Sequence, residues 1–337
     1  MSLLTMGRRG GRATALVSAL VLAGSLAACS STGGAQQDDT AAQGGGGGDK
    51  PTTMKVAMIT HGAAGDTFWD TIRKGAEAAA ANDGVDLQYS SDGDANNQAT
   101  LIQNAIDAKV DAIAVTSPNT GALGAPIQAA IAAGIPVTMF NAGANDWKTL
   151  GALSYFGQDE AIAGEAAGER LKSEGAQKVL CVIQAQGQSQ LEARCDGVSK
   201  GLGTDVERLY INGTDLPQSQ STISSKLQQD PSIDHVITLG GQFALAAVQA
   251  KGDAGSQTKV VTFDNSADVV KAIQSGDVGW AIDQQPYAQG YLAVDSLWMN
   301  KNAGIVLGGG QPVLTGPAFV DSTNVDATAD FAAQGLR

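Results

Sequence analysis

The sequence predicts an α/β protein built on two parallel sheets, and three observations carry that reading. From residue 54 onward, short apolar or β-branched runs alternate with stretches of helical periodicity. Such βα alternation gives parallel sheets covered by helices on both faces. The 337 residues suffice for about two domains of ~150 residues each. A break in the alternation near 146–155 (DWKTLGALSY), a poor helix, then favours two smaller sheets over one large one.

The elements follow in order. The run KVAMIT predicts a strand over 55–60, and Phe68, Ile72, Ala76 and Ala79 recur at helical spacing behind it. Further strands are expected at 86–90, 112–116, 136–140 and 152–156. Beyond the break, strands are expected at 178–184, 208–211, 235–239, 259–263 and 279–283. Gly84, Gly134 and Gly276 fall just past helix ends, where glycine takes the left-handed turn cheaply.

Before this region the chain reads as an address and a tether. Arg8, Arg9 and Arg12 precede a short apolar run, 13–24, below the ~20 residues that span a bilayer. Leu26-Ala27-Ala28-Cys29 follows, small residues before a cysteine, as in a bacterial lipobox where the thiol is acylated. Residues 1–28 are therefore expected to be a lipoprotein signal peptide, with Cys29 and 29–53 as lipidated residue and flexible tether. The unbroken Gly44–Gly48 cannot contribute to a core. Removing the signal leaves 18 of the 21 basic residues against 34 acidic ones, a net charge of −16. Membrane attachment is then expected from the lipid, not from a basic patch.

Composition closes several classes. An acidic chain with 5% aromatic residues is not expected to bind nucleic acid through phosphates. Three cysteines do not make a disulfide scaffold, and two histidines leave little for zinc. No Gly-Lys-Ser/Thr occurs, and the elbow-like Gly187-Gln-Ser189-Gln-Leu191 lacks its closing glycine. Asp92-Gly-Asp94-Ala-Asn96 starts like a calcium loop, but Asn97 and Gln103 stand where glycine and glutamate are needed. No metal, no cofactor and no catalysis are expected. A sugar hydrolase using Asp66 and Asp264 is the enzyme alternative, and it lacks a buried-acid pattern.

In open α/β sheets a ligand sits beyond the carboxyl ends of the strands. Residues at those positions include His61, Asp66, Asp92, Ser117, Asn119, Asn141, Gln184 to Gln190, Asp215, Gln242, Asp264 and Gln284. Arg194 lies in the first turn of the helix expected near Gln190, and Phe68 and Trp69 open the first helix. Carboxylates, amides and a guanidinium suit hydroxyls, which both donate and accept, and an aromatic face suits the C–H side of a polyol. For each residue taken singly, a solvated loop position is the competing reading. His235 begins a strand and reads as structural.

The chain resembles the periplasmic sugar-binding proteins of ABC transporters, of the ribose-binding type, whose fold is shared with the effector domains of LacI-type repressors. The resemblance rests on Asp66-Thr-Phe-Trp69 followed by Gly75-Ala76, Asp111-Ala-Ile-Ala-Val115, Ala133-Gly-Ile-Pro-Val137, Phe156-Gly-Gln-Asp159, Gly197 after Arg194, Phe263-Asp264 and Gln284-Gln-Pro286. It implies two Rossmann-like lobes joined by a three-segment hinge. The N-terminal lobe would be 54–157 plus 286–311, and the C-terminal lobe 158–285 plus 312–337. It further implies that Phe68 and Trp69 sandwich a sugar, and that Asp66, Asn141, Arg194, Asp264 and Gln284 hold its hydroxyls, with His61 and Gln242 as further candidates. The pattern departs from the ribose type: Asn141-Ala142 stands for Asp-Arg, Gly240 for an asparagine and Thr214 for an aromatic. The ligand is thus expected to be a small sugar or sugar alcohol, ribose not assumed. The implied protein is a monomeric lipoprotein on the outer face of the cytoplasmic membrane, handing ligand to the permease subunits of an ABC importer. A sensor presenting the same closed state to a chemoreceptor or histidine kinase is the alternative.

Two thiols, Cys181 and Cys195, remain after lipidation. An even number outside the cell suggests pairing. Cys195 shares a stripe with Leu191, Val198 and Leu202 on the helix expected to cover the strand of Cys181. The approach needed, Cα atoms within about 7 Å, is tight for that arrangement. A disulfide and two buried thiols both remain open.

Overall fold

The structure, a computed structural model, describes residues 53–337 apart from residue 64. The expected signal segment 1–28, the expected attachment point Cys29 and the expected tether as far as residue 52 lie outside the described residues. The described residues form one compact unit.

Five strands open the described residues: β1 (Lys55–Thr60), β2 (Asp86–Ser91), β3 (Ala112–Val115), β4 (Val137–Phe140) and β5 (Tyr155–Gln158). Between them lie α1 (Thr67–Asp83), α2 (Ala95–Asp107), α3 (Thr120–Ala132) and the single turn α4 (Trp147–Leu150). The second set comprises β6 (Val179–Ile183), β7 (Glu207–Tyr210), β8 (His235–Thr238), β9 (Lys259–Phe263) and β10 (Trp280–Asp283). Its helices are α5 (Glu160–Ser173), α6 (Ser189–Leu202), α7 (Leu216–Gln229), α8 (Gly241–Ala254) and α9 (Ala267–Ser275). Then come α10 (Pro286–Ala303), β11 (Val313–Gly316), β12 (Ala318–Asp321) and α11 (Asp326–Ala333).

Two six-stranded sheets result, ordered β11-β5-β4-β3-β1-β2 and β12-β10-β9-β8-β6-β7. Their central strands are buried along their whole length, as Ala112–Val115 and His235–Thr238 show. That is why these segments read as continuous apolar runs and not as alternating ones. Helix starts are set by side chains. Asp66 accepts from Phe68 N, Asp94 from Asn96 and Asn97 N, and Asp159 from Ala161 and Ile162 N. Asn119 and Asp215, noted above as strand-end polar residues, cap α3 and α7 in the same way.

Helix α10 leaves the second sheet and packs on α1 of the first. A Cβ on Gly75 would overlap the Tyr287 carbonyl, and one on Gly290 would overlap the Ile72 carbonyl, so glycine at both positions lets the backbones touch. Gly197 serves α6 similarly, since its Cβ would fall 2.6 Å from the Ala161 carbonyl of α5.

The chain crosses between sheets three times: after Gln158, across Gln284–Gln285, and at Gly316–Pro317. The third crossing corrects the expected boundary between 311 and 312. Val313–Gly316 pairs parallel with β5 and so completes the first sheet, and only Ala318–Asp321 belongs to the second, antiparallel to β10. This strand is short and follows Gly308–Gly310 and Pro312, which hides it in the sequence. The break expected at 146–155 also moves. Trp147–Leu150 is a helical turn, and β5, displaced from the expected 152–156, still belongs to the first sheet.

Cys181 and Cys195 form a disulfide with Cα atoms 6.1 Å apart, which resolves the two open readings. The bond ties the middle of β6 to α6, one residue past Arg194.

Candidate functional site

A cavity of about 590 Å³ lies between the carboxyl ends of the two sheets. All nine candidate side chains line it. From the first sheet come His61 after β1, Asp66, Phe68 and Trp69 at the start of α1, and Asn141 after β4. From the second come Arg194 on α6, Gln242 in the first turn of α8, Asp264 after β9 and Gln284 after β10. Asn141 (φ 60°) and Asp264 (φ 69°) hold left-handed backbone conformations at equivalent strand ends. Asparagine and aspartate tolerate that conformation better than other side chains, and such strain collects at ligand sites.

The aromatic side of the cavity is a corner. Phe68 and Trp69 stand at 88° with centroids 5.3 Å apart. Perpendicular rings cannot sandwich a sugar between them, so the expected sandwich is corrected to two adjoining walls. Trp69 also packs edge-on against His61 at 4.6 Å and is largely buried.

His61 is held on both ring nitrogens. Nδ1 lies 2.8 Å from Thr116 Oγ1, and Nε2 lies 3.1 Å from Gln190 Nε2. The Gln190 amide nitrogen can only donate, so Nε2 accepts and the ring proton sits on Nδ1. Burial, helped by the Arg194 charge, lowers the His61 pKa to about 3, so the ring is neutral. The His61–Gln190 bond crosses the cleft. Beside it, Ser189 donates through both its backbone N and its Oγ, each at 3.1 Å, to the Pro118 carbonyl of the first lobe. Helix α6 has no side-chain cap of its own, so the opposite lobe satisfies its first N–H.

Arg194 is buried and lies over the Phe263 ring, 4.8 Å from its centroid. Its Nε and Nη2 donate to Glu160 at 2.6 and 3.0 Å, and Nη1 donates to the Leu239 carbonyl at 3.1 Å. Burial alone would lower its pKa, but the Glu160 carboxylate outweighs that and keeps it fully charged. Three of the five guanidinium N–H groups are thereby taken, leaving two for a ligand among the described residues.

Asp264 accepts from Gln284 Nε2 at 2.6 Å. Burial pushes its pKa up to about 7, against the opposing pull of Arg194 and Gln284. Burial likewise raises Asp66, while the Phe68 N–H opposes it. Gln284 links the two lobes, since Asn141 Nδ2 donates to its Oε1 at 3.3 Å. Gln289, fully buried on α10, donates to Gln284 and to Thr315 Oγ1, which joins the cavity floor to the second and third crossings.

Glu160, Gln289 and Asn265 were not among the candidates. Glu160 stands in the first helical turn directly after the Asp159 cap, a position where acidic residues are common on solvated helices. Nothing local marks it as buried. Gln289 lies in the first turn of α10, six residues past the end of β10 and beyond the strand-end residues considered. Asn265 simply follows Asp264, and its position beside the cavity was open to inspection.

Residues 56–303 match the family described as periplasmic binding protein domain. A carbohydrate transporter from Acidothermus cellulolyticus, solved in complex with myo-inositol, is 57% identical, with a TM-score of 0.84 over 85% of this chain and 100% of that one. A solute-binding protein of an ABC transporter from Agrobacterium vitis, bound with α-D-tagatopyranose, is 27% identical, with a TM-score of 0.70 over 84% of this chain and 99% of that one. The xylose/arabinose-binding protein of Sulfolobus acidocaldarius is 25% identical over 276 residues, 73% of this chain and 66% of that protein. These relatives are solute-binding proteins, not enzymes. The chain belongs to the periplasmic binding protein domain family, among the sugar-binding proteins of ABC transporter type.

Proposed function

We propose that this protein is the lipid-anchored solute-binding component of an ABC importer, capturing a small sugar or cyclic polyol between its lobes and delivering it to the membrane permease. The observation that carries the reading is the cavity: Arg194, Asp264, Asn141 and Gln284 converge from both sheets beside the Phe68–Trp69 corner. Such a set donates to and accepts from hydroxyls while an apolar wall takes the C–H face. The myo-inositol complex of the 57% identical relative supports a six-membered ring carrying several hydroxyls as the ligand. Cys29 is the proposed attachment point, at the outer face of the cytoplasmic membrane.

A thermal-shift panel on protein starting at Met54 tests the binding reading, with myo-inositol, pentoses, hexoses and alditols against amino acids. A ligand at a hundred times its Kd adds ~2.7 kcal/mol to the folded state. A shift confined to one polyol class supports the reading, and a shift with amino acids alone overturns it. Cys29→Ser expressed in cells tests the anchor, with loss from the membrane fraction as the expected result.

A further inference from the structure

We infer that Glu160 sets the charge selectivity of the cavity: by pairing Arg194 from behind, it makes the site accept uncharged polyols and refuse sugar acids. This rests on the polyol reading above and narrows it.

Arg194 is the one cationic side chain lining the cavity among the described residues, because His61 is neutral. In isolation, a buried guanidinium is an anion site and would favour a carboxylated sugar. Glu160 removes that character. Its side chain is 6% exposed and that of Arg194 3%, and the two form a bidentate pair. Gln158 Nε2 holds the same Glu160 oxygen at 2.8 Å, so the carboxylate is fixed at the first crossing and cannot swing away. The cavity side then carries Asp264 and Asp66, with Asp92 and Asp94 at the mouth. A ligand carboxylate entering here would compete with Glu160 for the same cation and face Asp264 at close range. Its desolvation would go uncompensated. A hydroxyl meets no such obstacle: it accepts from the two remaining Arg194 N–H groups and donates to Asp264. The positive charge is thus spent on positioning, and what remains toward the ligand is hydrogen-bond geometry.

The test is titration calorimetry on the full-length protein in zwitterionic micelles, at pH 8, where Asp264 is ionised. The probes are myo-inositol, D-glucose and D-galactose against D-glucuronate and D-galacturonate. Wild type is expected to bind a neutral probe at least about a hundredfold tighter than any acid, the size of a like-charge penalty of several kcal/mol. Glu160→Gln, which keeps an acceptor but not the charge, is expected to narrow that ratio at least about tenfold by gaining affinity for the acid. Glu160→Asp keeps the charge and is expected to keep the ratio. An acid bound by wild type as tightly as its neutral parent overturns the inference. So does a Glu160→Gln protein that weakens both probes in proportion, since Glu160 would then serve folding alone. If Glu160→Gln does not fold, the wild-type and Glu160→Asp ratios still decide. Absence of the ratio in wild type, with neutral binding intact, removes this inference alone, whereas no binding of any probe by wild type removes the polyol reading with it.

Discussion

Strand for strand, β1 to β5 and β11 in the first sheet take the places of β6 to β10 and β12 in the second. One difference in direction follows from the geometry. The carboxyl ends of both sheets face the cavity, so a chain running straight out of β11 enters the second sheet from its carboxyl end, and β12 must be antiparallel. The larger difference is chemical. The first lobe offers the cavity its two rings, His61 and Asn141, with Asp66 engaged in capping α1 and Asp92 and Asp94 out at the mouth. The second offers Arg194, Asp264 and the amides, backed by Glu160 and braced by the Cys181–Cys195 disulfide. One chassis thus carries a lobe that shapes and a lobe that bonds, and the division is made by the few residues that end the strands.

On that division, removing the paired charge or the cross-link of the second lobe should cost stability, with binding lost as well at Arg194, while removing a ring of the first lobe should alter binding alone. The largest effect is expected from Arg194→Ala. It strands the buried Glu160 charge, which costs about 3–5 kcal/mol of unfolding free energy, measurable by urea denaturation, and ligand binding should vanish from calorimetry. Next, Cys181→Ala with Cys195→Ala should lower stability by about 2–4 kcal/mol, the usual worth of a disulfide. Wild-type protein should show no alkylatable thiol at these positions when unfolded without reductant.

Asp264 supplies a pH signature. Its pKa is raised to about 7 in the folded protein, so its favourable contribution to stability is complete below about pH 4 and is lost as pH rises through 7. Binding runs the other way, because the ionised carboxylate is the better acceptor for a hydroxyl. Affinity should fall about tenfold from pH 8 to pH 6. Asp264→Asn should flatten that profile, and His61, neutral throughout, should not contribute. A flat wild-type profile would remove Asp264 from the ligand contacts.

In the first lobe, Phe68→Leu keeps bulk and loses the ring face. Affinity should weaken roughly three- to tenfold, with the melting temperature nearly unchanged. An unchanged affinity would sink the stacking role. The smallest effect is expected at the cleft edge. Ser189→Pro removes both donors to the Pro118 carbonyl at the first helical position, where proline is tolerated. Stopped-flow dissociation should accelerate a few-fold, the worth of about one or two hydrogen bonds.

Much of this protein is written locally. The ten strands of the alternating region, the Asp and Asn caps and the glycine stops arise from periodicity and from side chains reaching their own backbone, which short segments encode without help. The nine candidates that line the cavity were legible because in parallel sheets a ligand meets the strand ends. What lay beyond local reading depends on segments far apart in the chain. β11 is a strand only because β5 offers it an edge. The angle between Phe68 and Trp69 follows from packing against His61 and the sheet beneath. Glu160 looks like an ordinary first-turn acid until α5 and α6 approach closely enough to bury it on Arg194, 34 residues away. Charge type is a property of a residue, but whether that charge is solvated, paired or aimed at a ligand is a property of the whole fold.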